Sequence, residues 1–208
     1  MSRLTRRATL LAGASLAGCS VLPERPYQER HEWPLQVEPP STVPPAPGAP
    51  VLLVRGLRAG PGLDSRGLRR LLPDGAEHLD YWQEWAVPPP QGVGASLRQW
   101  LAASGLFTAV IQPGSDLRAD FVLESELTGF AADSAAGRAR ATLSLVLLRR
   151  LRNGTSFPVM QRSLTGEAPL TGSDAPSIVH ALLQALAALL TQVQAMMRSA
   201  ISDGVSNR

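Results

Sequence analysis

The sequence predicts an α+β fold: a single domain with a mainly antiparallel or mixed sheet and two main helices packed on one face. Two observations carry this prediction. Runs of alternating apolar and polar residues, the pattern of strands, lie on both sides of a helix-like segment, and a longer apolar helix follows near the end of the chain. This order is typical of a sheet that helices cover on one side. A length of 208 residues suits one such domain with a tail.

The first strands are predicted before the first helix. The stretch HEWPLQV at residues 31–37 fits one short edge strand, because its proline excludes a central position. The run VLLVRGL at residues 51–57 is strand-like and opens the predicted folded region. Residues 67–72 and 77–82 flank a Pro-Asp-Gly turn and are predicted to form a hairpin.

The first helix is predicted at residues 92–104. Its apolar residues recur at helical spacing and form one face, with Val93, Leu97, Trp100 and Leu101. Gly105 follows at the position where a helix end favours a residue with positive φ.

Four strands are predicted after this helix, at residues 107–111, 120–130, 138–150 and 158–166. The second and third are joined by AADSAAG and are predicted to form an antiparallel hairpin. In the second strand, Phe121, Leu123 and Leu127 share a face opposite Glu124 and Glu126. The two glutamates are therefore expected on an exposed strand face rather than as a buried acid–base pair.

The last helix is predicted at residues 175–197, which carry no formal charge, so a membrane span is an alternative. A helical wheel instead separates two faces. The polar stripe holds Ser177, His180, Gln184, Thr191 and Gln194, and the apolar face holds Ile178, Leu182, Leu186, Leu189, Val193 and Met196. This regularity favours an amphipathic helix packed on the sheet, with Asp174 or Ser173 as its N-cap.

Residues 1–19 have the layout of a secretory signal: a basic start, a short apolar core and the ending LAGC. The apolar core is too short to span a bilayer as a helix. The ending resembles the lipobox of bacterial lipoproteins, which Leu16, Ala17, Gly18 and Cys19 all match. The resemblance implies cleavage between Gly18 and Cys19, a diacylglycerol on the Cys19 thiol and an acyl chain on its amine. The alternative is a small buried cysteine that packs like an apolar residue.

The chain is thus predicted to divide into four segments: a signal peptide at residues 1–18, a lipidated and proline-rich tether at 19–50, the domain at 51–198 and a flexible tail at 199–208. Acyl chains on one cysteine would anchor the protein to a membrane without spanning it, facing the periplasm. Ser20 follows the anchor where the lipoprotein sorting rule reads Asp as a mark of retention in the inner membrane, which favours the outer membrane.

The charge argues against nucleic acid as a partner. The formal net charge is +3, but three arginines lie in the leader, so the mature chain is near neutrality. A nucleic-acid-binding domain needs a basic face. The single cluster, Arg149, Arg150 and Arg152, ends an apolar run and is predicted to be a solvated strand end.

No catalytic or metal-binding motif is recognisable. His31, His78 and His180 have no partner at metal-ligand spacing, and the single cysteine excludes an internal disulfide. The protein is therefore not predicted to be an enzyme, and no metal is expected. The competing hypothesis is an envelope hydrolase, in which His78 or His180 would approach a serine and an acidic residue in a cleft.

Tyr81, Trp82 and Trp85 form an aromatic cluster before a proline run. Such residues can contact lipid or a protein partner, and this cluster is a candidate interaction surface. The alternative is the edge of the core.

The stretch YWQEWAVPPPQGVGASLRQWLAASGLFTAVI and the following ADFVLESELTGF carry a resemblance to a known family. The matching residues occur in order: Trp85, Ala86, Pro88, Pro89, Gly105, Phe107, Val110 and Phe130. They make the chain similar to the ABC-type transport auxiliary lipoproteins over residues 51–197, with a proline-rich insert at 39–50 as a departure.

The resemblance implies a non-enzymatic lipoprotein that works beside a permease, an ATPase and a substrate-binding protein of the mammalian-cell-entry type. Such systems move phospholipids or other hydrophobic molecules across the Gram-negative envelope. The resemblance also suggests a homo-oligomer, with the helix at 175–197 or the aromatic cluster as contact surface. A structural lipoprotein of envelope assembly is a further alternative.

Overall fold

The computed structural model describes the backbone of residues 28–206 and the side chains of residues 28–202. The predicted leader, the lipobox and Cys19 lie outside the described residues. The strands are β1 (His31–Trp33), β2 (Val51–Val54), β3 (Arg58–Ala59), β4 (Gly67–Leu71), β5 (Glu77–Trp85), β6 (Ala109–Ile111), β7 (Phe121–Asp133), β8 (Arg138–Arg150) and β9 (Ser156–Pro169), and the helices are α1 (Pro89–Ala103) and α2 (Ala175–Ser206).

The long strand β7 organises a single mixed sheet. Along one edge it pairs antiparallel with β8, which pairs antiparallel with β9. Along its other edge it carries three short parallel strands in succession, β2, β3 and β4. β6 extends the sheet beside β2, and β5 and then β1 extend it beside β4. The predicted α+β class with two helices and a mixed sheet is confirmed.

The two predicted hairpins are confirmed. β4 and β5 pair antiparallel around a turn in which Gly75 has φ +85°. β7 and β8 pair from Phe121 opposite Arg149 to Asp133 opposite Arg138. Strands β5 and β7 each end three residues later than the sequence pattern indicated, at Trp85 and Asp133, whereas β8 has the predicted bounds.

Both helices lie on the same face of the sheet. Alternate residues of β8 are buried on this face: Ala139, Ala141, Leu143, Leu145 and Leu147. The predicted apolar face of α1 is buried in the same core, and Gly105 after it has φ +72°. Gly166 of β9 allows α2 to lie directly on the strand, because a Cβ there would be 2.1 Å from the carbonyl oxygen of Ala185.

Helix α2 is long and apolar enough to cross a membrane, but half of its most apolar window is buried within the fold. Ile178, Leu182 and Leu186 lie in the core, whereas His180 and Gln184 are exposed, as the predicted stripe requires. Asp174 caps the helix, since its Oδ1 accepts the backbone N–H of Ser177 at 2.7 Å.

The opposite face of β7 is polar in its middle. Glu124 faces Arg55 in an ion pair, and Glu126 faces Arg58 at 3.5 Å. Both carboxylates are partly exposed. The expectation that they form no buried acid–base pair is confirmed.

Two predicted boundaries of the domain need correction. Residues 31–50, assigned to the tether, lie against the domain: β1 pairs with β5, Leu35 is buried, and the backbone N–H of Val43 bonds the carbonyl oxygen of Ala103 at 2.8 Å. Leu35 packs where Gly92 of α1 has no side chain; a Cβ there would be 2.6 Å from Leu35 Cγ. An extended, proline-rich segment thus packs because α1 offers a close backbone approach.

The predicted tail at residues 199–208 is also wrong for most of its length. Helix α2 continues to Ser206. Ala200 is buried and Ile201 packs against the core, because both continue the apolar face of the helix past Met197.

Candidate functional site

The aromatic residues of β5 divide into two surface residues and one core residue. Tyr81 is 68% exposed and Trp82 is 40% exposed. Trp85 is only 1% exposed, and its ring lies 5.6 Å from that of Phe130. The prediction of Trp85 as part of an interaction surface is therefore wrong, because its side chain fills the core beneath the sheet.

Tyr81 and Trp82 project from a bulge in β5. Between the pairs Arg69–Leu79 and Gly67–Glu84, strand β4 has one residue, whereas β5 has the four residues 80–83. We call residues 80–83 the aromatic bulge. Bulges of this kind redirect side chains and interrupt pairing, and here they turn two aromatic rings towards solvent.

Asp80 and Gly67 build the aromatic bulge. Oδ1 of Asp80 accepts the backbone N–H groups of Trp82 at 2.9 Å and Gln83 at 3.0 Å. These two donors would otherwise lack partners in the interrupted ladder. A Cβ at Gly67 would lie 2.4 Å from the carbonyl oxygen of Asp80, so the strand opposite the bulge requires glycine.

The exposed rings have fixed neighbours. Tyr81 and Trp82 meet edge to face, with centroids 5.3 Å apart and ring planes at 83°. The guanidinium of Arg30 lies 5.0 Å from the Tyr81 centroid, within range of a cation–π contact. Leu79, 43% exposed, adds aliphatic surface beside them.

An ion-pair cluster holds β1 against the strand beyond the aromatic bulge. Glu84 lies 3.0 Å from Arg66 and 3.5 Å from Arg30, and Arg66 also lies 2.5 Å from Glu32. Two cations thus face two carboxylates, and the cluster is balanced in charge. The Trp33 indole N–H also donates to Gln83 Oε1 at 2.9 Å, so β1 is fixed beside the bulge.

The three histidines do not converge. His31 and His78 lie exposed on β1 and β5, and His180 lies exposed on α2, where its Nε2 is 3.0 Å from Nε2 of Gln184. The hydrolase hypothesis required His78 or His180 in a cleft beside a serine and a carboxylate, and their positions do not provide it. Among residues 28–202, no group of three or more His, Cys, Asp or Glu side chains could hold a metal ion.

Two shallow grooves flank β9. One, of about 340 Å³, is lined by polar and small residues including Glu167, whose pKa is held below its ordinary value by hydrogen bonds from Arg138 and then Arg140. The other, of about 430 Å³, lies between β9 and α2 and is lined by Val159, Met160, Arg162, Met196, Ser199 and Ala200. Neither contains a histidine.

Sequence reasoning located Tyr81 and Trp82 but missed the residues that display them. Asp80 directly before the aromatic pair was the available signal, because Asp side chains often bond backbone N–H groups two or three residues ahead. Arg30 carried no signal of its own, since its position over Tyr81 depends on the pairing of β1 with β5.

A family model identifies the family of the chain, and solved structures share its fold. A family model described as "ABC-type transport auxiliary lipoprotein component" matches residues 34–194. The chain is similar to protein XCC0632 from Xanthomonas campestris, with TM-score 0.67 and 23% identity over 81% of this chain and 97% of that one. A second crystal structure, of an uncharacterized protein, has TM-score 0.60 and 16% identity over 80% and 99% of the two chains. No curated protein matches. These identities support the fold, and the family model matches most of the chain.

Proposed function

Because the chain belongs to the family of ABC-type transport auxiliary lipoprotein components, we propose that it is the lipid-anchored, non-enzymatic partner of a transporter that moves lipids or other hydrophobic molecules across the Gram-negative envelope. One observation carries the proposal: the family match spans the folded domain, and the lipobox ending at Cys19 precedes that domain in the sequence. Cys19 would carry a diacylglycerol and an acyl chain, which together make attachment effectively permanent.

The proposed partners are a permease, an ATPase and a substrate-binding protein of the mammalian-cell-entry type. The domain faces the periplasm from the outer membrane, in line with Ser20 after the anchor. The exposed stripe of α2 is the surface proposed for contact with protein, including further copies of the chain, and the aromatic bulge is a second candidate contact surface. Scattered, exposed histidines support a docking role over hydrolysis.

The anchor is tested with the full chain in a Gram-negative host, comparing Cys19→Ala with Ser20→Ala. We expect the wild type and Ser20→Ala to fractionate with outer membranes. Mass spectrometry should find the leader removed and two or three acyl chains on Cys19. Cys19→Ala should leave the membranes or keep its leader. A mature wild-type protein with a bare Cys19 thiol would contradict the anchor.

The transport role is tested by cross-linking in native membranes, followed by purification through the wild-type chain. Recovery of a permease, an ATPase and a cell-entry-type protein is the expected result. Recovery of none of them from correctly lipidated protein would instead favour a structural lipoprotein of envelope assembly. Light scattering of the purified lipoprotein tests the homo-oligomer, which a monomer would exclude.

A further inference from the structure

The aromatic bulge lies beside the point where the chain joins the folded domain. β1 runs parallel to β5, with His31 opposite Gln83. The residue before β1 therefore lies alongside the aromatic bulge, as the contact of Arg30 with Tyr81 confirms. The chain that leads back towards Cys19 leaves the domain from this side.

We propose that the aromatic bulge rests in the headgroup region of the bilayer that holds the anchor, so that the domain lies with this end on the membrane. The inference rests on the proposed lipidation of Cys19. It names the occupant of the exposed aromatic surface as a phospholipid bilayer rather than a protein.

Covalent geometry keeps this end of the domain near the membrane. Arg30 lies eleven positions after Cys19 in the sequence. An extended chain advances by at most about 3.6 Å per residue, so Arg30 stays within roughly 40 Å of the anchor in any conformation. Residues 31–50 pack on the domain, beginning with the pairing of β1 with β5, and therefore do not lengthen the tether. The greatest possible distance between the domain and the bilayer is therefore much shorter than a free tether of residues 19–50 would permit.

The surface has the composition of an interfacial contact. Trp and Tyr prefer the boundary between headgroups and hydrocarbon, because their rings are apolar and their N–H or O–H groups remain hydrated. Tyr81, Trp82 and Leu79 offer exposed apolar area, and Arg30 beside them can meet lipid phosphates. The carboxylates of Glu32 and Glu84 are offset by arginines and add little repulsion from an anionic surface.

The aromatic bulge forms at the expense of regular pairing between β4 and β5. Three extra residues interrupt the β4–β5 ladder, and Gly67 and Asp80 are needed to accommodate them. Trp85, three positions after Trp82 on the same strand, is almost fully buried. Two large rings directed to water by a built bulge indicate a surface that is covered in use.

The test is quenching of tryptophan fluorescence by brominated phospholipids. The mature lipoprotein is reconstituted into vesicles of phosphatidylethanolamine and phosphatidylglycerol, with and without bromine near the headgroup end of the acyl chains. The chain has four tryptophans, and two of them, Trp85 and Trp100, are buried. The variants are Trp82→Phe and, as a matched control, Trp100→Phe, which removes a buried tryptophan on α1.

We expect the wild type and Trp100→Phe to lose emission to the brominated lipid, and Trp82→Phe to lose at least about twofold less of its emission. Equal quenching in the wild type and Trp82→Phe would overturn the inference, as would a Trp82 that remains open to aqueous acrylamide on vesicles. Flotation of the vesicles separates the two proposals. Protein that floats with an unquenched Trp82 keeps the anchor and overturns the bilayer contact, whereas protein that does not float overturns both.

Discussion

The indole N–H of Trp100 on α1 donates a hydrogen bond of 2.8 Å to Oε1 of Gln194 on α2. The two helices are far apart in sequence and lie on the same face of the sheet, and this bond joins them. Trp100 is 4% exposed, so its N–H has little access to water. Gln194, assigned from the sequence to the polar stripe of α2, thus serves as an internal partner.

Replacing Gln194 with Ala should destabilise the fold by about 1–3 kcal/mol, because the buried Trp100 N–H would lose its acceptor. Gln184→Ala is the control: Gln184 lies on the same helix, is exposed and bonds only His180 among the described residues. We expect the control to stay within about 0.5 kcal/mol of the wild type. Urea unfolding measures both, and equal midpoints for the two variants would contradict the prediction.

Gly166→Ala should be among the costly substitutions in the sheet. The new Cβ would lie 2.1 Å from the carbonyl oxygen of Ala185 and 2.4 Å from the backbone nitrogen of Leu189. Backbone atoms cannot rotate away, so α2 would have to shift, at a cost of about 1–3 kcal/mol or more. Gly56→Ala is the control, since nothing lies within 4 Å of its Cβ position. A thermal unfolding midpoint equal to that of Gly56→Ala would show that α2 does not lie on β9 as described.

Asp174 should make the start of α2 sensitive to acid. Its hydrogen bonds from Ser177, first from the hydroxyl and then from the backbone N–H, lower the pKa of Asp174 below its ordinary 3.8. A lowered pKa in the folded state stabilises the protein above the ordinary value, and this contribution disappears as the pH falls through the lowered pKa. Asp174→Ala should therefore reduce the melting temperature at pH 7, and the difference from the wild type should shrink in strong acid.

A melting-temperature difference that stays constant from neutral pH into strong acid would contradict this account of Asp174. Asp174→Asn is the informative comparison, because the amide oxygen can still cap the helix without a titrating charge. Its melting temperature should lie closer to the wild type and vary less with pH.

Asp80→Ala should loosen the aromatic bulge without unfolding the sheet. The backbone N–H groups of Trp82 and Gln83 would lose their acceptor, and we expect their hydrogen exchange to accelerate about tenfold. Asp74→Ala is the control, because among the described residues the Asp74 side chain accepts one hydrogen bond, from the backbone N–H of Ala76 in the adjacent turn. Unchanged exchange at Trp82 in Asp80→Ala would mean that the bulge is held by other contacts.

The elements that the sequence predicted are those whose signal is local. β8 alternates apolar and polar residues along its length, and α2 shows a helical stripe with an Asp cap at its start. Which strands pair with one another is not visible in the local sequence. β3 has two residues and no pattern of its own, and it is a strand only because β7 lies beside it.

The candidate site shows the same limit. On a regular strand Tyr81 and Trp85 would share one face and Trp82 would lie on the other, whereas in the structure Tyr81 and Trp82 are exposed and Trp85 is buried. The aromatic bulge changes which side each ring occupies, and it arises from a mismatch in length between β4 and β5 that the sequence does not display. Burial of Trp85 against Phe130 of β7 follows from that mismatch.

The parallel pairing of β7 with β2, β3 and β4 has a consequence for biosynthesis. Leu52 pairs with Phe121 and Arg70 pairs with Ala132, so β2 and the β4–β5 hairpin cannot join β7 until the ribosome has made the second half of the chain. Contacts this distant along the chain form late and slowly. A polypeptide whose sheet closes late stays unfolded for longer, which is compatible with the export proposed above, in which a chain crosses the membrane before it folds.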